Sequence, residues 1–324
     1  MKPHPFFKSY WMPIAIFLSV AAPTSGWGSD DSDPVYLPSS CAQVDGLDAI
    51  NEHAPGDGYR SDDFTEWHLT TQPEARGTAI VVHGLNLRPS AMSDVVEEYQ
   101  NQGYDVLRVA LRGHRGNLDE YETVYPAYWK KDIFYAYCIA EQHARLQSGK
   151  LIGVGFSLGG LILESVLHEI QISTVKMDAM VLYAPAIELK FFANWVKIFG
   201  IFGRRFNLPS AGIPELRVHT GTPMAAYYSL FEILDELHIM KFKRAKIPTL
   251  IFANLNDPVI DVEELEKMSG SQDFESWKFV AVSNEGSDVE NQSKPHLVIR
   301  KSTLGEVQWG KMSTEIRIFL DSLH

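Results

Sequence analysis

A serine stands at the centre of a glycine-rich pentapeptide. Residues Gly155–Gly159 read Gly-Phe-Ser-Leu-Gly, with an apolar, strand-like run before them and the helix-period segment Leu161–Ile172 after them. Strand, sharp turn and helix form the context that a G-x-S-x-G nucleophile elbow requires, and its glycines allow the backbone to approach itself closely. We interpret Ser157 as a candidate nucleophile. The alternative is a tight glycine turn in which the serine has no chemical role.

A serine hydroxyl is a weak nucleophile near neutral pH, so it needs a base, and the base needs an orienting acid. On an open α/β sheet such residues lie just past the carboxyl ends of strands. Asp257 follows the predicted strand Thr249–Ala253, and His296 lies in the loop after the predicted strand Trp277–Val282. Their order along the chain, serine then acid then histidine, is the order expected of this architecture.

Other residues compete for these two roles. An aspartate before proline is often only a turn-former, and a loop histidine is often solvated, so neither assignment is certain by itself. Asp261 is the competing acid. The competing bases fit worse, because two lie in a segment that interrupts the strand–helix alternation and one ends the chain: His219, His238 and His324.

Attack on a carbonyl also requires donors for the developing oxyanion. The Leu158 N–H lies at the start of the helix after the serine, where the helix dipole is positive. We expect the second donor to be the Leu85 N–H, in the loop after the predicted strand Thr78–His83. We expect His83 itself and His114 to have structural roles.

The surrounding sequence alternates between strand and helix patterns. Such alternation predicts βαβ units, and therefore an α/β fold with a mostly parallel, doubly wound sheet. The predicted strands are Phe64–Thr71, Thr78–His83, Tyr104–Leu111, the elbow strand, Met180–Tyr183, Thr249–Ala253 and Trp277–Val282. The predicted helices are Ser90–Gln102, Tyr128–Leu146, Leu161–Ile172, Val262–Met268 and Glu306–Leu323.

These motifs together resemble the α/β-hydrolase superfamily and, within it, the lysophospholipase, monoacylglycerol lipase and serine aminopeptidase-like group. The resemblance covers roughly Ala75 to Leu323. It implies a Ser-Asp-His triad that cleaves carboxylic esters of small acyl or lipid substrates through an acyl-enzyme. A peptidase or amidase of the same fold, or a non-catalytic ligand-binding member, is the alternative. The segments that carry the resemblance are Val81–Asn86, Arg112–His114, Gly155–Gly160, Tyr183–Ala186, Asn256–Val259 and Pro295–His296.

The predicted hydrolase domain, residues 75–323, is interrupted by residues 187–243, here called the insertion. It is rich in aromatic residues and has no clear strand pattern, which predicts an inserted helical cap. Near its start, apolar residues follow helical spacing: Phe191, Phe192, Trp195, Ile198, Phe199 and Phe202. This face could pack on the core, lie transiently on a lipid surface, or form a lid that lines an acyl pocket. The lid interpretation makes four of them candidate substrate contacts: Phe191, Phe192, Trp195 and Phe199.

The N-terminus resembles a targeting segment. Met1–Ser9 carries two lysines and no acid, and Tyr10–Ala22 is an apolar run followed by small residues. We predict a cleaved signal peptide over residues 1–28, rather than an uncleaved anchor, and export to the periplasm or the medium. Residues 29–74 then form an arm and the first strand. In an oxidising compartment Cys41 and Cys138 could pair, or both could stay reduced.

Composition limits the partners of this 324-residue chain. A formal net charge of −12 argues against nucleic acid as a partner, and 45% hydrophobic residues support a sizeable core. The sequence has no Cys/His spacing typical of a metal site and no phosphate-binding loop, so we expect no cofactor. No obligate protein partner is indicated.

Overall fold

The computed structural model of the chain describes most of the predicted domain. The described residues are 40–52, 58–170, 177–191, 196, 199, 201–210, 212–240, 247–287, 291 and 293–323. The predicted signal segment 1–28 and residues 29–39 of the predicted arm lie outside the described residues. Among the helices of these described ranges, none is long and apolar enough to cross a membrane.

A seven-stranded sheet forms the centre of the domain. Its strands are β1 Glu66–His68, β2 Gly77–Val82, β3 Tyr104–Val109, β4 Lys150–Phe156, β5 Ala179–Tyr183, β8 Thr249–Asn254 and β9 Trp277–Val282, while β6 Asn207–Pro209 and β7 Gly221–Pro223 form a separate pair. The strand order in the sheet is β1-β3-β2-β4-β5-β8-β9. The first strand pairs antiparallel with β3 and all other pairs of this sheet are parallel, as the alternation of strands and helices predicts.

Helices cover the sheet. Every residue of β2, β3, β5 and β8 is buried, and because successive side chains point to opposite faces, both faces of these strands are covered. The helices are α1 Asp48–Asn51, α2 Ser93–Asn101, α3 Leu118–Glu122, α4 Pro126–Leu146, α5 Leu158–Ile170, α6 Met224–Ile239, α7 Val262–Ser269, α8 Lys301–Leu304 and α9 Glu306–Asp321. Short 3-10 turns lie at Cys41–Gln43, Ser61–Asp63, Pro89–Met92 and Gln272–Phe274.

The register of the strands brings their carboxyl ends to one edge of the sheet. Val82 of β2 pairs with Gly155 of β4, and Asn254 of β8 pairs with Val282 of β9. The loops that follow these four strands therefore leave the sheet on the same side, which is where an α/β sheet holds its functional residues.

The insertion contains strands, contrary to the expectation from its sequence. β6 and β7 pair antiparallel, with Leu208 opposite Thr222, and α6 follows directly. Three-residue strands are too short to show an alternating pattern, so the pairing depends on tertiary contacts. Two isolated bridges, Leu87 with Arg217 and Leu189 with Ile260, link the insertion to the loops after β2 and β8.

A disulfide and a buried arginine are among the contacts that tie the described part of the arm to the core. A disulfide joins Cys41 to Cys138 of α4, with the Cα atoms 5.1 Å apart, so the structure has the paired rather than the reduced form. The buried Arg115 guanidinium donates to the carbonyl oxygens of Ile50 and Glu52 at 2.8 and 3.0 Å, at the end of α1. These carbonyls are among those that a helix end leaves unsatisfied.

Candidate active site

Ser157 lies in the turn between β4 and α5 with a backbone φ of 51°. Few residues other than glycine adopt this left-handed conformation, and those that do are held there by their surroundings. The Ser157 N–H donates to the Tyr183 carbonyl oxygen at 2.9 Å, and the Ser157 carbonyl oxygen accepts from the Ala186 N–H at 3.0 Å. The loop after β5 therefore holds the serine in its strained turn.

The glycines of the pentapeptide lie where no side chain fits. A Cβ on Gly155 would lie 2.5 Å from the Gly160 nitrogen, and one on Gly159 would lie 2.4 Å from the Val82 carbonyl oxygen. Both distances are well below van der Waals contact with backbone atoms that cannot move aside. The close approach expected from the sequence is present, and it extends to the neighbouring strand β2.

The three residues selected from the chain order lie in one hydrogen-bonded row. The His296 Nε2 atom is 3.1 Å from the Ser157 Oγ atom, and its Nδ1 atom is 2.7 Å from the Asp257 Oδ2 atom. Asp257 is fully buried, whereas 24% of the His296 side chain is exposed. The acid thus lies inside the protein and the imidazole borders the solvent side, where a substrate can reach the serine.

Asp257 is held as an anion that faces the imidazole. Its Oδ1 atom accepts from the N–H groups of Val259 and Ile260 at 2.7 and 3.0 Å. Burial acts to raise the pKa of Asp257, but the hydrogen bond and charge interaction with His296 and the two N–H donors outweigh it, and the pKa lies below its ordinary value. Because the carboxylate can only accept, the His296 Nδ1 atom carries the proton and Nε2 accepts from the serine hydroxyl.

Of the two predicted oxyanion donors, Leu158 directly follows the serine and Leu85 lies in a loop that contacts the elbow. Leu158 is the first residue of α5, so its N–H has no acceptor within the helix. Leu85 lies in the loop after β2, and its neighbour Gly84 is in contact with the elbow: a Cβ on Gly84 would lie 3.3 Å from the Ser157 Cβ atom.

His83 and His114 are fully buried, with ring centroids 4.5 Å apart. The His83 Nε2 atom accepts from the Leu111 N–H at 3.1 Å, so Nδ1 carries the proton and donates to the Gly84 carbonyl oxygen at 2.9 Å. Burial lowers the pKa of His83 to about 4 and lowers that of His114 as well, so both imidazoles are neutral near pH 7. Their contacts are structural, as expected from the sequence.

The competing acid and bases lie elsewhere. Asp261 caps α7, where its side chain accepts from the Glu264 N–H at 3.3 Å. The His219 Nε2 atom lies 3.3 Å from the Gly113 carbonyl oxygen, and the His238 Nε2 atom lies 2.9 Å from the Ile187 carbonyl oxygen. His324 is outside the described residues.

Part of the apolar stripe of the insertion is exposed. Phe191, Phe199 and Phe202 are 81%, 42% and 60% exposed, so core packing is the wrong interpretation for these three side chains. Phe202 lies against Phe206, with ring centroids 4.8 Å apart. Phe192 and Trp195, the other two candidate substrate contacts, are outside the described residues. The lid and lipid-surface interpretations remain for the three exposed phenylalanines, and for Phe192 and Trp195 every interpretation stays a prediction.

Within the described ranges, no group of three or more His, Cys, Asp or Glu side chains is arranged to hold a metal ion.

Comparisons with known proteins show what the chain is similar to. The family model for serine aminopeptidases, S33, matches residues 73–213, which include the elbow and the loop after β2. A soluble variant of monoglyceride lipase from Saccharomyces cerevisiae, solved with a substrate analogue, superposes with a TM-score of 0.65 over 85% of this chain and 97% of that chain, at 13% identity. The chain has the α/β-hydrolase fold.

Two further solved structures also superpose on the chain. The monoacylglycerol lipase of Paleococcus ferrophilus has a TM-score of 0.55 and 17% identity, over 81% of this chain and 99% of that one. Est1E from Butyrivibrio proteoclasticus, solved with ferulic acid, has a TM-score of 0.54 and 15% identity, over 80% and 94%. None of the curated proteins compared with the chain matches it. The superpositions confirm the α/β-hydrolase fold that the motifs predicted.

Sequence reasoning missed two residues beside the site. Lys190 donates from its Nζ atom to the Asp257 carbonyl oxygen, and Asn86, next to the proposed donor Leu85, has a φ of 52°. Asn86 had one signal in the sequence, since asparagine is enriched at positive φ. Lys190 had none, because its partner lies 67 residues away.

Proposed function

We propose that this protein is a serine hydrolase that cleaves acyl esters. The observation that carries the proposal is the single imidazole hydrogen-bonded to both Ser157 and Asp257, with the serine in the strained turn that directs its hydroxyl outward. The likeness to lipase structures supports the fold that such an enzyme requires, and the geometry of the site supports the proposed chemistry.

The proposed reaction has two steps. The His296 Nε2 atom takes the Ser157 proton as Oγ bonds to the carbonyl carbon, and the N–H groups of Leu85 and Leu158 stabilise the oxyanion. The imidazolium, stabilised by Asp257, then gives its proton to the oxygen of the leaving alcohol. The alcohol departs, and the acyl group remains bonded to the Ser157 Oγ atom as an acyl-enzyme. Water, deprotonated by the same imidazole, attacks the ester, and Ser157 regains its proton as the carboxylic acid departs.

We place the substrate among fatty acyl esters such as monoacylglycerols or lysophospholipids. Two observations support an apolar acyl chain: the named lipases of the same fold, and the exposed phenylalanines of the insertion, which we propose contact the acyl chain or a lipid surface. Peptide or amide hydrolysis is the second candidate, and it is favoured by the description of the matching family model.

A substrate panel tests the proposal. Purified protein is assayed on esters of graded acyl length and on aminoacyl amides, with Ser157→Ala as the matched control. We expect ester turnover and labelling by a fluorophosphonate, both abolished in Ser157→Ala. Labelling that persists in the alanine variant contradicts the assignment of the nucleophile, and turnover of amides alone favours the peptidase.

We also propose that the protein is exported. The lysines and apolar run at the N-terminus support this, as does the Cys41–Cys138 disulfide, since such bonds persist in oxidising compartments. Intact-mass measurement on protein from the native host is the test: we expect a mature chain that begins between Gly26 and Asp31. A mass that includes Met1 or the apolar run contradicts cleavage.

A further inference from the structure

The residue after the proposed oxyanion donor Leu85 is a buried asparagine whose side chain and backbone are both hydrogen-bonded. Asn86 is 5% exposed, and its side chain forms two hydrogen bonds with one residue of the insertion: Nδ2 donates to the His219 carbonyl oxygen and Oδ1 accepts from the His219 N–H, both at 3.0 Å. An amide side chain that pairs with both backbone groups of one residue fixes the distance and the relative orientation of the two segments.

The backbone of Asn86 is bound as well. Its N–H donates to the His114 Nε2 atom and its carbonyl oxygen accepts from the Val218 N–H, both at 3.1 Å. The next residues continue the contact, since Leu87 bridges Arg217. The segment of the insertion before β7 therefore runs beside the loop after β2, and Asn86 is the centre of that contact.

The same loop fixes the direction of the Leu85 N–H. The Gly84 carbonyl oxygen accepts from the His83 Nδ1 atom at 2.9 Å and from the Leu87 N–H at 3.2 Å. In a planar trans peptide the carbonyl and the following N–H point in opposite directions, so holding the Gly84 oxygen also holds the Leu85 N–H. One of the two donors to the Gly84 oxygen is the Leu87 N–H, and Leu87 directly follows Asn86 in the chain.

We propose that Asn86 is a positioning residue that couples the insertion to the oxyanion hole, by clamping the loop that carries the Leu85 N–H to the backbone of His219. The inference rests on the proposed function. Asn86 acts through Leu85 and does not itself touch the reacting atoms. The insertion is then part of the catalytic framework.

Loss of the clamp has a specific kinetic signature. Oxyanion donors act on charge that exists only in the transition state, so their misplacement lowers kcat and leaves KM nearly unchanged. Removal of one such donor costs about 10²–10³ in kcat, and a donor that is displaced rather than removed costs less. We expect Asn86→Gly to lower kcat by at least about tenfold.

Asn86→Gly is the primary variant because glycine accepts the positive φ and removes only the side-chain bonds. Ser148→Gly is its matched control. Ser148 is exposed, has a φ of 53°, and lies between α4 and β4 at the opposite edge of the sheet from the elbow. The Ser148→Gly variant shows how a glycine at positive φ affects kcat and hydrogen exchange at a position that forms no clamp. Asn86→Asp is the second variant, which keeps a residue suited to this φ and replaces only the Nδ2 donor.

Two measurements decide the inference. Steady-state kinetics on one ester gives kcat and KM for the wild type and the three variants, and hydrogen exchange read by mass spectrometry follows peptides within residues 214–222. We expect faster exchange in this segment and lower kcat for both Asn86 variants, and neither change for Ser148→Gly. Since the exchange measurement needs no turnover, the clamp is tested even in an inactive protein.

Several outcomes overturn the inference. Unchanged exchange at 214–222 shows that Asn86 does not hold the insertion, and faster exchange with unchanged kcat shows that the clamp does not position the donor. A rise in KM with constant kcat assigns Asn86 to substrate binding instead. A wild-type protein that hydrolyses no ester contradicts the proposed function, whereas an active wild type with equally active Asn86 variants contradicts only this inference.

Discussion

At the scale of single residues, the two aspartates near the end of β8 have opposite roles despite lying four positions apart in the chain. Asp257 faces the imidazole and Asp261 caps a helix. We expect Asp257→Asn to lower kcat by about 10⁴-fold, because an amide no longer enforces the imidazole tautomer that accepts the serine proton. Asp261→Asn is the control and should stay within a few-fold of wild type, with only a modest loss of stability from the changed cap. Steady-state kinetics on both variants checks this, and the reverse pattern would refute the assignment of the acid.

Glu164 of α5 is a buried carboxyl that the proposed reaction does not use. Its Oε1 atom has no hydrogen-bond partner among the described residues, and burial raises the pKa of Glu164 to about 8. A carboxyl whose folded pKa exceeds its unfolded value, about 4.3, binds its proton more tightly in the folded state. The free energy of unfolding should therefore fall as the pH rises from about 4.3 towards 8, by up to about 1.4 kcal/mol per pH unit.

The matched variant for this prediction is Glu164→Gln, which keeps a neutral side chain of similar shape at every pH. Urea unfolding between pH 5 and 8 compares the two proteins, and all other titrating groups cancel in the difference. We expect the variant to gain stability relative to wild type as the pH rises. Parallel curves would show that the carboxyl is ionised or solvated in the folded protein.

At the scale of elements, the insertion contributes exposed aromatic side chains, whereas the proposed catalytic residues follow strand ends. Phe202 is 60% exposed, so its replacement by serine removes little core packing and should leave Tm nearly unchanged. If the side chain contacts the acyl chain, Phe202→Ser should lower kcat/KM on long-chain esters by on the order of tenfold and spare short ones. Leu146→Ser is the control, since Leu146 is 81% exposed at the end of α4, far along the chain from the insertion.

The form in which the substrate is presented separates the two interpretations of these phenylalanines. A lid residue should affect a long-chain ester dissolved as monomers, whereas a lipid-surface residue should affect only the same ester presented in vesicles. Equal activity of Phe202→Ser and wild type on both forms would exclude Phe202 from either role.

At the scale of the whole molecule, the disulfide closes a loop of 97 residues between the arm and α4. Closing so long a loop restricts the unfolded chain, and a typical contribution to stability is about 2–4 kcal/mol. We expect the double variant with Cys41→Ser and Cys138→Ser to lose this amount in urea unfolding. Reductant should lower the stability of the wild type towards that of the variant and leave the variant unchanged. An equal effect of reductant on both proteins would rule out the bridge as its cause.

The sequence by itself determined the parallel α/β architecture and the elbow, because both are local: hydrophobic periodicity marks each strand and helix, and the glycines around Ser157 mark the strained turn. The sequence also reduced the number of candidates for the acid and the base, since parallel strands place the loops that follow them at one edge of the sheet. The sequence selected Asp257 with Asp261 as its competitor, because both follow the same strand. The structure adds the contact that separates them, since Asp257 is hydrogen-bonded to the distant His296 and Asp261 caps a helix.

Features made by a few isolated contacts or by very short strands were decided by tertiary structure alone. The Asn86–His219 clamp spans 133 residues, the cysteine bridge spans 97, and the β6–β7 pair joins strands of three residues each. None leaves a periodic pattern, because each arises from one or a few contacts whose stability depends on the packing around them. The exposure of Phe191, Phe199 and Phe202 was undecided for the same reason: helical spacing shows that apolar side chains share a face, and only the fold determines what that face meets.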